Sequence, residues 1–305
     1  MLLKTFLLET PAVESSIIHQ AQNDFIFSIL IPTWNNLPLL AVCIESLKKN
    51  SRYKHQIILH INEGDDGTKE WAIKEGLDFT FTAQNIGICY AMNLARRLVK
   101  CNYIVYFNDD MYACPDWDFW LFDEIQKLAT SYFFLSSTMI EPSETNNKCV
   151  ISPHSFGNSP ENFDEANLLS HYDKLAKDDW SGSTWPPSVV TTMLWDLVGG
   201  YSTEYSPGMY SDPDFSMKLW HAGVRHFKGV SKSRVYHFMS KSTSKLKYKL
   251  NGSQLFLNKW GVSTKLFSKH FLKRGEPWKG ALTTPQISIS LILYYILNKL
   301  KKWFI

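Results

Sequence analysis

The segment Tyr103–Pro115, YIVYFNDDMYACP, constrains this chain more than any other stretch. Tyr103, Ile104, Val105, Tyr106 and Phe107 are β-branched or aromatic and nearly continuous in apolarity. Such a run predicts a strand covered on both faces, as in a parallel sheet. It leads directly into Asn108, Asp109 and Asp110. The carboxyl end of a buried strand is where open α/β sheets take ligands. Two adjacent carboxylates there repel each other and lose hydration unless a cation lies between them. A hard divalent ion, which also bridges phosphate oxygens, removes that cost. Asp equally starts turns and caps helices, so the segment alone supports either reading.

The 305 residues suffice for one large α/β domain or two small ones. With 45% hydrophobic and 20% charged residues the chain is globular. A net charge of +3 gives no support for a nucleic-acid partner. Cys43, Cys89, Cys101, Cys114 and Cys149 are odd in number and contain no C-x-x-C pair. They predict reduced thiols in a cytoplasmic protein. The N-terminus meets Glu9 too early for a good signal peptide, and no apolar run reaches the length of a membrane span.

Strand and helix patterns alternate along the first half. Phe25–Ile31, Gln56–Ile61 and Phe79–Thr82 read as strands, and Leu39–Leu47, Lys69–Glu75 and Ile88–Val99 as helices. This alternation predicts βαβ units and a largely parallel sheet. Pro32 is expected to end the first strand. The polar clusters Thr33–Asn36, Asn62–Thr68 and Asn108–Asp110 each follow a strand, so parallel pairing gathers them on one edge as a cleft. Gly87, at a helix start, leaves backbone N–H groups for an anionic ligand, while Asn93 faces away from the apolar stripe and is expected in solvent.

The second half is less regular. Residues 141–179 read as a long polar insertion. Trp180 and Trp185 flank a turn-rich stretch and suit either sugar stacking or core anchoring. Asp212 precedes Pro213 and reads as a helix N-cap, with Asp214 in the same first turn. His237 ends a short strand. Lys232, Arg234, Lys241 and Lys245 form a basic edge. Residues 287–305 are apolar, then basic, and suit an interfacial helix on a membrane or a face docked on protein.

The ordered series ILIPTWNN, INEGDDGT, QNIGICYAMNLA, YFNDDM, LVGGYSTEYSPGMYSDPDFSMKLWHAG and SRVYHF resembles the family-2 glycosyltransferases of GT-A fold from about Phe25 to Lys245. The resemblance implies an α/β GT-A fold, with a Rossmann-like, mostly parallel sheet flanked by helices and a C-terminal helical tail. It implies a lead-in over 1–24, a nucleotide-sugar half over 25–130, an acceptor half over 131–250 and a helical extension over 251–305, in contact with membrane or a partner. The implied reaction is inverting transfer of a sugar from a nucleotide-diphospho-sugar, a UDP-sugar by preference, to a hydroxyl of a glycan or lipid-linked glycan in surface-glycan synthesis. Mn²⁺ or Mg²⁺ is the implied cofactor, the implied place is the cytoplasm or the inner face of the membrane, and a homo-oligomer is compatible with it. By position, Pro32, Thr33, Asn35, Asn62, Glu63, Asn85, Gly87, Asn108 and Asp109 are implied to bind the nucleotide-sugar. Asp110 and His237 are implied to hold the metal, Asp212 with Asp214 second to act as base, and Trp180 and Trp185 to meet the acceptor. Asn62 and Asn108 stand where relatives often carry Asp, so each brings one less negative charge. The rivals are a sugar nucleotidyltransferase, whose glycine-rich basic loop is missing from PTWNN, and a nucleotide-sugar-binding protein without catalysis.

Overall fold

The computed structural model describes residues 13–17, 24–240 and 251–286. The strands are β1 (Val13–Ser16), β2 (Ser28–Trp34), β3 (Gln56–Asn62), β4 (Asp78–Thr82), β5 (Tyr103–Tyr106), β6 (Met111–Ala113), β7 (Phe133–Ile140), β8 (Trp180–Ser181), β9 (Ser188–Thr191) and β10 (His226–His237). The helices are α1 (Leu37–Asn50), α2 (Thr68–Lys74), α3 (Gly87–Ala95), α4 (Trp117–Lys127), α5 (Glu165–His171), α6 (Thr192–Val198), α7 (Ser211–His221) and α8 (Gly252–Trp260). The strands described make one 10-stranded sheet in the order β1-β4-β3-β2-β5-β9-β7-β10-β6, with β8 paired to β10 beside that path.

Directions within the sheet locate the site. β4, β3, β2 and β5 are parallel neighbours. β9 is antiparallel to both β5 and β7, and β7 is parallel to β10. Thus β4, β3, β2, β5, β7 and β10 all point one way, and their carboxyl ends share an edge. Ser188–Thr191, between β5 and β7, is fully buried and too short to carry a period in sequence.

Pro32 does not end β2; it lies opposite His60 in register with β3. The Leu30 carbonyl accepts from the Phe107 N–H at 3.0 Å, so Leu30 faces β5. Pro32 faces the same side two residues on, beyond the last β5 pair, so its ring removes no ladder bond.

Side-chain alternation divides the core between the two faces of the sheet. Ile29, Ile31, Leu59 and Val105 pack with Leu40 and Ile44 of α1 and Trp117 and Leu121 of α4. Leu30, Ile58, Ile104 and Tyr106 pack on the other face with Met92 of α3, Leu194 of α6 and Phe215 of α7. Phe256, Leu266, Phe267 and Leu272 join this second cluster, so residues 251–286 belong to the body of the fold and do not stand apart from it. Residues 287–305 and the membrane contact expected of them lie outside the described residues. Among the described residues no helix is long and apolar enough to cross a membrane.

Residues 141–179 are partly ordered by α5, which Asp164 caps by accepting the Asn167 N–H at 3.0 Å. Buried Arg234 holds this segment through the Tyr172 carbonyl and the Leu175 carbonyl, the latter at 2.6 Å. Its guanidinium is therefore used in structure. Lys232 lies over the Trp120 ring at 4.5 Å, and Lys241 and Lys245 are outside the described residues.

Trp180 is a core anchor, not an acceptor platform. Its indole N–H donates to Thr138 Oγ1 at 2.9 Å, and its ring fills the space where a Gly229 Cβ would stand, 1.8 Å away. Gly229→Ala should therefore cost about 1–3 kcal/mol through overpacking. An unchanged urea midpoint would show that the ring does not sit on that glycine.

Candidate active site

A cleft of about 1320 Å³ opens along the shared carboxyl edge. Pro32 and Thr33 from the end of β2, Asn62 from β3, and Asn108, Asp109 and Asp110 after β5 line one part of it. Glu141 follows β7 and His237 ends β10, so they reach the same edge. Asp212 from α7 and Trp185 before β9 complete the polar and aromatic lining.

The two adjacent carboxylates point to different partners. Asp109 accepts the Thr33 hydroxyl at 2.7 Å. Burial, and then the charge of Asp110, push its carboxyl up to about 7. Asp110 Oδ2 accepts the Ser240 N–H at 2.9 Å and lies 3.4 Å from His237 Nε2. Burial works against an Asp110 carboxylate, but the His237 and Ser240 contacts outweigh it and hold the carboxyl below its ordinary range. Burial likewise works against a charged His237. Its contacts with Asp110 and with Glu141, 3.1 Å from Nδ1, outweigh that and raise the imidazole to about 9. The His237 ring thus lies between the side chains of Asp110 and Glu141.

The Tyr201 phenol donates to Asp212 Oδ1 at 3.1 Å. Burial pushes Asp212 up to about 7 and the Tyr201 bond opposes the rise. Tyr201 is itself fixed: its N–H donates to Asn93 Oδ1 at 2.9 Å, its carbonyl accepts from Asn93 Nδ2 at 2.7 Å, and its ring stacks on Phe215 at 4.8 Å. Asn93 is thus a bracket for Tyr201, where the sequence pattern had put it in solvent. The helix begins two residues earlier than expected, with Tyr210 as N-cap, so Asp212 lies inside the first turn. Tyr106 lines the same cleft, and burial first, then the charges of carboxylates that include Asp212, Asp109 and Asp110, push its phenol well up.

Several expected residues are elsewhere. Asp214 is fully buried, accepts from Ser202 at 2.5 Å and Trp260 at 2.7 Å, and pairs with Lys259 at 2.9 Å. It is a structural counterion outside the cleft lining. Asn35 and Glu63 also fall outside the lining. Glu63 accepts from Trp34 Nε1 at 2.6 Å and Asn35 Nδ2 at 3.1 Å, which ties the loops after β2 and β3 together. Asn62 lines the cleft, and its Oδ1 accepts the Ile86 N–H at 3.0 Å. Asn85 and Gly87 line it too, but the Gly87 N–H is taken by Asn85 Oδ1 at 2.9 Å and the Ile88 N–H by the Pro207 carbonyl at 2.9 Å. Gly87 serves close packing: its φ is +76°, and a Cβ would come within 2.5 Å of Pro207 Cα. The sequence reading passed over Glu141 and Tyr201, which orient His237 and Asp212. It also passed over the basic residues of 148 and 265–274, for which hydrophobic periodicity carries no signal.

The donor chemistry of Asp110 and His237, one carboxylate and one imidazole, suits a divalent ion such as Mn²⁺. The Ser240 hydroxyl beside Asp110 is buried and has no hydrogen-bond partner among the described residues, as expected where a further polar group enters. Among the described residues no cluster of three or more His, Cys, Asp or Glu side chains is arranged to hold an ion. The described residues therefore offer fewer ligands than a full shell, and water and a phosphate-bearing ligand would add to them.

A family model described as Glycosyl transferase family 2 matches residues 28–173. No curated protein sequence matches the chain. Among solved structures, S. aureus TarS 1–349 in complex with UDP is similar at a TM-score of 0.51 and 14% identity, over 70% of this chain and 60% of that one. GalNAc-T7 with UDP, GalNAc and Mn²⁺ is similar at 0.52 and 15%, over 76% of this chain and 45% of that one. This chain therefore spans about 60% of the TarS chain and 45% of the GalNAc-T7 chain, and at such identities the likeness is one of fold. The fold is that of the GT-A glycosyltransferases, and within it residues 28–173 match the family 2 model.

Proposed function

We propose that the protein transfers a sugar from a UDP-sugar to a hydroxyl of a glycan acceptor, with inversion and with a divalent metal ion. The observation that carries this reading is Asp212: a carboxylate raised to about 7 that shares one cleft with the Asp109–Asp110 pair. UDP in the TarS structure, and UDP, GalNAc and Mn²⁺ in that of GalNAc-T7, support the donor and metal classes.

Asn62, Pro32 and Thr33 would border the nucleotide, and Asn108 and Asp109 the ribose or donor sugar. Asp110 and His237 would hold the ion, with Glu141 orienting the imidazole from its far side. The chemistry an ion supplies there when bound is neutralisation of charge on the departing diphosphate. Asp212 would take the proton of the acceptor hydroxyl as that oxygen bonds to the anomeric carbon. The bond from that carbon to the diphosphate oxygen breaks, and the nucleoside diphosphate leaves. Trp185 would offer the acceptor an aromatic face. The halves around residue 130, one for donor and one for acceptor, follow from this assignment.

The test is release of UDP from UDP-sugars in the presence of Mn²⁺, with and without glycan acceptors. Asp212→Asn should lower turnover about 10²–10⁴-fold and keep UDP affinity. A variant that turns over like the parent would remove Asp212 from the chemistry. The same variant also has a stability signature. A folded-state pKa raised above the unfolded value means that stability falls as pH rises from about 4 through about 7. Asp212→Asn should therefore melt at least about 2 °C above the parent at pH 8, and show no such gain at pH 4.

A base with pKa about 7 acts when deprotonated, so activity should rise with pH through that value. Tyr201→Phe removes the bond that favours the carboxylate. The acid limb of the rate profile should move up by about 0.5–1 pH unit, the equivalent of one hydrogen bond. A limb that stays in place, or moves down, contradicts the assignment of Asp212 as base.

A further inference from the structure

The cleft has a basic wall that the transfer chemistry above does not use. Lys148, Lys265, Lys273 and Arg274 line it, with Glu276 as a carboxylate on the same segment. Some lysines elsewhere are paired, among them Lys48 with Glu75, Lys49 with Glu165, Lys127 with Asp123, Lys228 with Glu124 and Asp179, and Lys259 with Glu204 and Asp214. Lys148, Lys265, Lys273 and Arg274 take part in none of these pairs, while Lys269 on the same wall has a contact of its own. The cations outnumber the one carboxylate, Glu276, so this wall carries net positive charge and favours a negatively charged ligand.

The fold builds this wall deliberately from distant segments. Gly275 has φ +80°, and a Cβ there would stand 2.5 Å from the Lys148 Cβ, so residues 273–275 and Lys148 are pressed together. The Gly275 N–H donates to the Ser181 carbonyl at 2.9 Å and the Ser181 N–H to the Glu276 carbonyl at 2.8 Å. The segment is thereby fixed beside β8 and β10, across the sheet from the β2–β3 end of the cleft. The Arg274 guanidinium lies 4.2 Å from the centre of the Trp185 ring. A stacked guanidinium is pre-oriented for the two-oxygen edge of a phosphate or carboxylate.

We propose that this wall recognises the acceptor, and that the acceptor is an anionic glycan bearing phosphate or carboxylate groups. The inference rests on the glycosyltransferase reading and names the acceptor class that fits the cleft. Trp185 and Arg274 take adjoining sugar and anion, while Lys148, Lys265 and Lys273 supply longer-range attraction.

Binding of size-matched probes to the full chain by calorimetry tests this: an oligomer of glycerol phosphate, an oligogalacturonate and a neutral malto-oligosaccharide. At least one anionic probe should bind roughly tenfold or more tightly than the neutral one, with affinity that falls as salt rises. The tighter anionic probe names the charge carrier. Lys265→Glu with Lys273→Glu, both exposed positions, should weaken that binding roughly tenfold or more, with Lys→Gln at both sites intermediate. UDP affinity, measured in parallel, should stay within about twofold. Equal binding of neutral and anionic probes, or charge reversal without effect, overturns the proposal. A parallel fall in UDP affinity also overturns it, by assigning the wall to the donor. Absence of UDP binding in the parent protein would instead reject the underlying glycosyltransferase reading.

Discussion

Two carboxylates on neighbouring residues at the end of a buried strand are the constraint on which this structure turns. Asp109 and Asp110 cannot both be charged in a sheltered cleft without an answering positive group. The fold separates their partners. Asp109 is tied to Thr33 of β2, and Asp110 to His237 of β10 and to the backbone of Ser240. The pair therefore fastens the two sides of the sheet to the loop after β5. His237 lies against Asp110, and Glu141 holds the imidazole from its other side. A site that already contains the geometry for a positive charge is well suited to a metal ion joined by a phosphate-bearing ligand.

The remaining architecture serves to bring side chains to that edge. β9 is antiparallel between β5 and β7, yet its amino end lies at their carboxyl ends, which is how Trp185 enters the cleft. α7 begins at the same place and delivers Asp212. The second core face, with Phe215 stacked on Tyr201, fixes the phenol that contacts Asp212. Packing and chemistry are thus continuous: the ring that completes the core on one side ends in the hydroxyl that biases the carboxylate on the other. The charge of Asp212 is stabilised less in the folded chain than in water, a cost in stability at neutral pH of the kind that active sites carry.

Much of this was legible in the sequence where a signal is local. The unbroken apolar run of Tyr103–Phe107, the strand–helix alternation and the polar clusters after strands gave the sheet and the cleft edge. Short elements escaped: Ser188–Thr191 and Met111–Ala113 are too brief for a period to emerge. Partners at long range escaped as well. Trp180 and Trp185 share the same turn-rich surroundings, and only the distant Gly229 makes one of them a core anchor. Asp212 and Asp214 are two residues apart on one helix, yet Lys259 and Trp260 from α8 occupy the second and leave the first for the cleft. The basic wall brings Lys148 against Gly275, next to Arg274, a close approach that no spacing rule records.

The most direct test of the central claim is the melting temperature of the protein with UDP and Mn²⁺, separately and together, in the parent chain and in Asp110→Ala. The account predicts a rise with the pair that exceeds the sum of the separate effects, because phosphate and protein complete one coordination shell. It predicts that Asp110→Ala abolishes this excess. Equal rises with and without Mn²⁺, or an excess that survives in Asp110→Ala, would contradict a shared metal–diphosphate site at the end of β5.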